Sequence, residues 1–385
     1  MAVEVGNGSR VVISVRGAGL KGDPGATPTT YLRSIARVGD SERVVVRDAA
    51  NAPFYLGNVT AEDMGDGVVM LTITNDDGSV IRAAIAGGDE IVVLQSPTIY
   101  LREDGQPNPP ISSQDDLTEE NAFNSIAAIR SFMRKTLTKG GLTINVAGTF
   151  SAQGDVSPTA MNVSAVTVRG DASDPSAATF ASNGNSSGIV VGDGSVILRD
   201  LTLRIADGDT VAGRIGGVAA AGGRANLRGT IRFTGNYDKT KTNRDGNAHL
   251  AYASQGSGDV DTTNCRLVFE LNGGHDLDSA FACYDGARFR IGANQEYVFN
   301  SDVRTTQFFL VSQSSYAQGY TSPSPIPVFT GSGDIIATHL WRIRNGASLV
   351  WSGWNPLTHA NWPVASIVNS IDPYAIVGGQ MGLDL

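Results

Sequence analysis

Three carboxylates, Glu270, Asp276 and Asp278, form the best local set for acid and base chemistry in the chain. Asp276 and Asp278 stand two apart, so on a strand they would share a face, with His275 beside them. The stretch Asn272-Gly-Gly-His-Asp-Leu-Asp278 reads equally well as a polar loop, and no catalytic residue is assigned from it. A second kind of chemistry is stacking. Trp351-Ser-Gly-Trp354-Asn-Pro and Asn361-Trp362-Pro set flat apolar rings beside polar neighbours, the combination on which sugar rings pack. The same tryptophans could instead close a terminal cap or a subunit interface.

Stronger catalytic signatures are missing. The sequence has no His-Glu-x-x-His, no Gly-x-Ser-x-Gly elbow, no phosphate-cradling loop ending in Lys-Ser/Thr and no Cys-x-x-Cys pair. His249, His275, His339 and His359 have no partner at ligand spacing, so neither a metal site nor a cofactor is expected. Asp76-Asp77-Gly78 and Asp207-Gly-Asp209 lack the distal Glu of a calcium loop and read as turns. Gly213–Gly223, rich in Gly and Ala, lacks the strand-to-helix setting of a nucleotide loop and also reads as a tight turn. Cys265 and Cys283 are too few for a disulfide framework and are expected to be buried thiols.

The elements that would position such residues are mostly strands. Of 385 residues 46 are Gly, above the usual ~7%, and only 17% are charged, a balance that favours short strands joined by tight turns. The formal charge is −9 and no stretch gathers Lys and Arg into a stripe, which argues against nucleic acid as a partner. No run approaches the ~18 apolar residues of a membrane span. The start, Met-Ala-Val-Glu-Val, has no cationic region followed by an apolar block, so no secretion signal is expected and the chain is expected to be made in a cytoplasm and to stay soluble.

Residues 30–96 are expected to form a small antiparallel unit. Val68–Thr74 and Val80–Ile85 alternate on either side of Asp77-Gly78, a hairpin signal. Before it, within 1–29, the triplets Gly19-Leu-Lys, Gly22-Asp-Pro and Gly25-Ala-Thr suggest a flexible linker or a short collagen-like neck. One amphipathic helix is predicted near 116–139. Asp116 and Glu119 would cap it, Phe123, Ile126, Ala127, Ile129, Met133 and Leu137 would form its apolar stripe, and Gly140-Gly141 would end it.

Thr98-Ile-Tyr-Leu101 leading to Asp104-Gly105, then the helix, then Thr143-Ile-Asn-Val-Ala-Gly-Thr-Phe150 and Val166-Thr-Val-Arg-Gly-Asp171 carry a resemblance. Together they resemble the entry to the pectate-lyase-like right-handed parallel β-helix of bacteriophage tail spikes and tail fibres. Alternating runs starting at 196, 225, 260 and 288 extend the pattern, with spacings of 29, 35 and 28, about one supersecondary unit per turn. One rung cannot bury its own inward face, so rungs must stack at about 4.8 Å to make a core.

The resemblance implies a mainly β chain: a solenoid over 97–334 capped by the helix, a small N-terminal β domain, and a Trp-rich C-terminal β module or receptor-binding cap over 335–385. It also implies a homotrimer in a virion, assembled in a bacterial host, joined through its N-terminal region to other tail or head proteins and bound to a bacterial surface polysaccharide. Many such proteins cleave their glycan with two carboxylates roughly 5–9.5 Å apart, and Glu270, Asp276 and Asp278 are the candidates. With no catalytic pair assigned, non-enzymatic receptor binding is the first expectation. A polysaccharide hydrolase or lyase, and a purely structural connector, are the alternatives.

Overall fold

Alternation decides which way each strand faces. In Leu142–Ser151 the residues Leu142, Ile144, Val146 and Phe150 are buried, while those between them are exposed or half-buried. The computed structural model describes side chains from Leu94 to Val350, less residues 137, 139, 184–185, 206–213, 236–246, 272–276, 293–294 and 319–326; beyond that range it describes only the backbone of individual strands.

Such alternating strands build a parallel β-solenoid of about six turns. A 14-stranded sheet and an eight-stranded sheet run through it, every pairing in both being parallel. Register stacks the inward residues into columns. The larger sheet supplies Leu142, Val166, Val196, Ala225, Val260, Phe289, Ala317 and Leu349. It also supplies Phe150, Phe180, Leu203, Phe233, Phe269 and Phe299. The eight-stranded sheet adds Ile189, Val218, Ala251, Phe281, Phe309 and Trp341. Rings on adjacent rungs lie flat on one another, with centroids 4.8 Å apart for Phe269 and Phe299 and 4.0 Å for Phe309 and Trp341. Each fully buried ring contributes roughly 1.5–3 kcal/mol, so stability accrues rung by rung.

One corner between the sheets is a stack of turns. Gln255-Gly256, Asp285-Gly286, Gln313-Ser314 and Asn345-Gly346 each hold two successive residues at positive φ. Each turn donates to the next: Gly256 N–H to Asp285 O at 2.7 Å, Gly286 N–H to Gln313 O at 2.9 Å, and Ser314 N–H to Asn345 O at 3.0 Å.

The structure departs from the sequence-based expectations in several places. The α-helix is shorter, Ile126–Arg134, with Ser125 Oγ accepting the Ala128 N–H at 3.1 Å. Residues Gln114–Asp116 form a separate 3-10 turn in which the Asp116 carboxylate accepts from the N–H groups of Ser112 and Ser113. At the other end, Thr136–Lys139 is a strand parallel to Val92–Gln95, as its β-branched threonines favour. The helix buries Ile126, Ile129 and Met133 in the same core as Ile99, Leu101 and Ile144.

The Gly/Ala-rich stretch is not a turn either. Arg214–Ala221 is a strand of the eight-stranded sheet, and a Cβ on Gly217 would come within 2.8 Å of Leu203 Cβ. Toward the N-terminus, seven strands from Val3–Gly6 to Val80–Ala86 form an antiparallel sheet in chain order. It extends upstream of residue 30, and its Thr74↔Val80 pairing brackets Asp77-Gly78. The Gly-x-y triplets lie outside the described residues. Parallel pairing runs on past 334, since Ile335–Arg344 pairs with Val303–Val311 and Ser348–Ser352 with Tyr316–Tyr320.

Candidate functional site

Four strands that bury every second residue build one groove. Leu142-Thr-Ile-Asn145, Val166-Thr-Val-Arg169, Val196-Ile-Leu-Arg199 and Ala225-Asn-Leu-Arg228 bury their first and third residues in the core, while Ile197 is exposed. The fourth residue of each faces out, and register places Tyr100, Asn145, Arg169, Arg199 and Arg228 in one column. Neighbours in such a column are about 4.8 Å apart along the solenoid. The strands then break at a corner where Asp200 takes positive φ (53°) and its Oδ1 accepts the Thr230 N–H at 2.9 Å. Any Cβ on Gly229 would fall 2.0 Å from that oxygen, so the corner requires glycine there.

The groove has a volume of about 520 Å³ and is lined by Tyr100, Arg102, Asn145, Arg169, Asp171 and Arg199 together with Glu119 and Asp200. Its charges are not evenly matched. Arg102 pairs with Asp104 at 3.0 Å and Glu119 at 3.3 Å, and Arg199 Nε with Asp200 Oδ2 at 2.9 Å. Arg169 instead donates from Nε to the neutral Asn145 Oδ1 at 2.7 Å and has no carboxylate partner among the described residues. Asp171 has no cation partner there either. Its Oδ1 accepts the hydroxyl and N–H of Ser173 at 2.7 and 2.8 Å, which hold the carboxyl below the usual carboxylate range. The groove therefore offers one uncommitted guanidinium and one ionised carboxylate a short way along the chain.

A smaller groove of about 320 Å³ lies over the stacked hydroxyls of Thr149, Thr179 and Thr202, beside Arg204 and Arg232. Glu270 is near this second groove, ion-paired to Arg232 and accepting from Asn300 Nδ2 at 2.9 Å. Burial raises its carboxyl, but the Arg232 and Asn300 contacts outweigh that and set it below the ordinary range. An ionised, doubly engaged carboxylate is a poor general acid. Asp278 sits on the other sheet, where its Oδ2 accepts the Ala248 N–H at 2.7 Å. Glu270 belongs to a strand of the 14-stranded sheet and Asp278 to one of the eight-stranded sheet, so eight residues of sequence do not make them neighbours on one strand.

Asp276, Trp354 and Trp362 lie outside the described residues, and Trp351 belongs to the strand Ser348–Ser352, of which only the backbone is described there. Trp341 is fully buried in the core.

A serine and a histidine do meet, in a place no sequence motif marks. His249 Nδ1 lies 2.7 Å from Ser279 Oγ and its Nε2 3.1 Å from Tyr284 Oη. All three are buried, and burial, helped by Arg214, lowers the His249 pKa to about 3. The imidazole stays neutral and sealed from solute, so the trio serves packing. Cys265 and Cys283 are likewise buried, and burial pushes both thiols up, away from the reactive thiolate. Among the described residues no group of three or more His, Cys, Asp and Glu is placed to hold a metal ion.

Sequence reasoning aimed at carboxylates and tryptophans passed over Tyr100, Asn145, Arg169 and Arg199. Their signal is the recurrence of Val-Thr-Val-Arg-Gly170, Val-Ile-Leu-Arg-Asp200 and Ala-Asn-Leu-Arg-Gly229 at intervals of 30 and 29. Comparison with family models, with curated proteins and with solved structures finds no match to this chain.

Proposed function

We propose that the chain is a rod-like attachment protein of the bacteriophage tail spike or tail fibre kind, which holds a bacterial surface polysaccharide against the outer face of its solenoid without cleaving it. One observation carries the reading: the open groove in which Tyr100, Asn145, Arg169 and Arg199 follow one another, one residue per rung. An extended polymer suits such a site, because a solenoid repeats its outward positions at a fixed pitch and a glycan chain repeats its rings along a line. Hydrogen-bonding side chains beside an aromatic ring are the usual contacts of a sugar.

In this proposal the Ile126–Arg134 helix covers the first rung of the core and shields strand edges that would otherwise invite edge pairing. The chain assembles as a homotrimer, closed by symmetry. Three copies of a weak site on one particle then bind far more tightly than one, through effective concentration. The N-terminal region carries the attachment to the rest of the virion.

The test is binding of the full-length protein to a panel of bacterial surface polysaccharides, with a reducing-end assay on the same incubations. Retention on some of them without release of new reducing ends is expected. Release would turn the reading to a depolymerase. Silence across the panel would leave a structural connector.

A further inference from the structure

Arginines stacked on adjacent strands repel one another, and a carboxylate beside each relieves the repulsion. Arg228 is answered by Asp261 at 3.4 Å and Arg199 by Asp200 at 2.9 Å. Arg169, between Arg199 and Asn145 in the same column, is answered by no carboxylate among the described residues. Its contact with Asn145 uses Nε alone. That bond steadies the guanidinium plane and leaves the two terminal nitrogens facing a groove open to solvent, the arrangement that accepts a carboxylate through two parallel hydrogen bonds.

Asp171 lines the same groove, and its Ser173 contacts occupy Oδ1. A compact inorganic anion seated on Arg169 would gain one cation and meet this carboxylate as well. A sugar acid resolves the conflict, since its carboxylate can take the guanidinium while its ring hydroxyls donate to Asp171. Tyr100 lines the groove two rungs from Arg169, about 10 Å along the solenoid, and adds an aromatic surface for a neighbouring ring.

We infer that this groove is a subsite for a carboxylate-bearing sugar, a hexuronic acid residue of an acidic polysaccharide, with Arg169 holding the carboxylate and Asp171 and Asn145 reading the hydroxyls. The inference rests on the attachment function proposed above and adds the class of glycan to it. It assigns Arg169 as the residue that separates acidic from neutral chains.

The experiment uses the full-length protein on immobilised uronate-containing bacterial polysaccharides, each paired with a copy whose carboxyl groups have been reduced to hydroxymethyl. The variants are Arg169→Gln, Arg169→Lys, Asp171→Asn and, on a different stretch of the face, Arg266→Gln, with circular dichroism to verify the β fold of each. Wild type is expected to bind acidic chains and to lose about tenfold or more on carboxyl reduction. Arg169→Gln should weaken acidic binding by about tenfold to a hundredfold, the range for hydrogen bonds to a charged group. Arg169→Lys should recover part of that loss, Asp171→Asn should cost less, Arg266→Gln should change nothing, and sodium sulfate at equal ionic strength should compete no better than sodium chloride.

Equal binding of parent and carboxyl-reduced chains, or undiminished binding by Arg169→Gln, overturns this inference and leaves glycan attachment standing. Failure to bind any polysaccharide, acidic or neutral, overturns both.

Discussion

Arg169 and Arg228 occupy the same outward column two rungs apart, each closing an apolar-polar-apolar run, and their fates differ. The Arg228 side chain is only 27% exposed, and its Nη1 reaches Leu227 O at 2.7 Å, Asp261 O at 3.3 Å and Asp261 Oδ1 at 3.4 Å. Asp261 is itself buried. It is also held by Arg224 and by the N–H and hydroxyl of Thr263, in a lattice that takes in Asp259 and Arg290. Arg169 is exposed, tied to one amide and otherwise free of the protein. The rung geometry delivers an arginine to the surface in both places. What the next rung offers decides whether that arginine holds the fold together or faces solute.

The comparison breaks most visibly at Asp261. Replacing it with Ala strips Arg224 and Arg228 of their shared carboxylate and is expected to cost about 3 kcal/mol, the low end for opening a buried pair because both arginines keep some contact with water. The denaturant midpoint of the full-length protein reads it, and a loss below about 1 kcal/mol would mean that the lattice is ornamental.

Acid should dissolve the same difference. Burial pushes the Asp261 carboxyl up, but Thr263, Arg224 and Arg228 together bring it below its ordinary value. A carboxyl lowered on folding contributes stability that is present above its unfolded pKa of about 3.9 and is lost as pH falls through the folded value. Asp259 runs the other way. Its carboxyl is raised, burial outweighing Arg290 and Arg224, so acidification relieves a cost there. Asp261→Asn should therefore melt below wild type at pH 7, and the gap should close as pH falls below about 4. A gap that persists at low pH would assign the loss to packing and not to charge.

Next in size is the direct contrast of the two arginines. Arg228→Ala is expected to cost about 1–2 kcal/mol through the lost hydrogen bonds and the loss of one of the two arginines on Asp261. Arg169→Ala should stay within about 0.5 kcal/mol of wild type, as surface changes away from such networks do. Equal losses in thermal melts would erase the distinction on which the groove reading depends.

Much of this was legible in the chain, and the limits were physical. The rung starts at 196, 225 and 260 fall in one inward column, because burial of alternate residues writes itself into sequence; the start at 288 misses by one, Phe289 being the column member. The sequence does not show which rung answers which charge. Asp261 lies 33 residues beyond Arg228, and that pairing follows from unequal rung lengths and from corners that cannot be counted in advance. Glu270 and Asp278 fall in different sheets, and the 136–139 segment left the helical stripe because a strand partner at Val92–Gln95 was available to it.

The smallest expected effect is also the sharpest probe of the comparison. Asn145→Asp keeps the shape that accepts Arg169 Nε at 2.7 Å and turns a neutral acceptor into a counterion, so the groove rung comes to resemble the rung at Arg228. The new pair is exposed, so the gain should be at most about 0.5–1 kcal/mol and should shrink as salt screens it. Binding should move the opposite way. A guanidinium already neutralised has less to offer an incoming carboxylate, and the amide donors of Asn145 are gone as well, so acidic polysaccharide should be held several-fold less tightly. A variant that gains stability and also keeps full affinity would show that Arg169 is not the cation the ligand seeks. One that loses stability would show that the Arg169–Asn145 contact depends on the neutral amide and not on its shape.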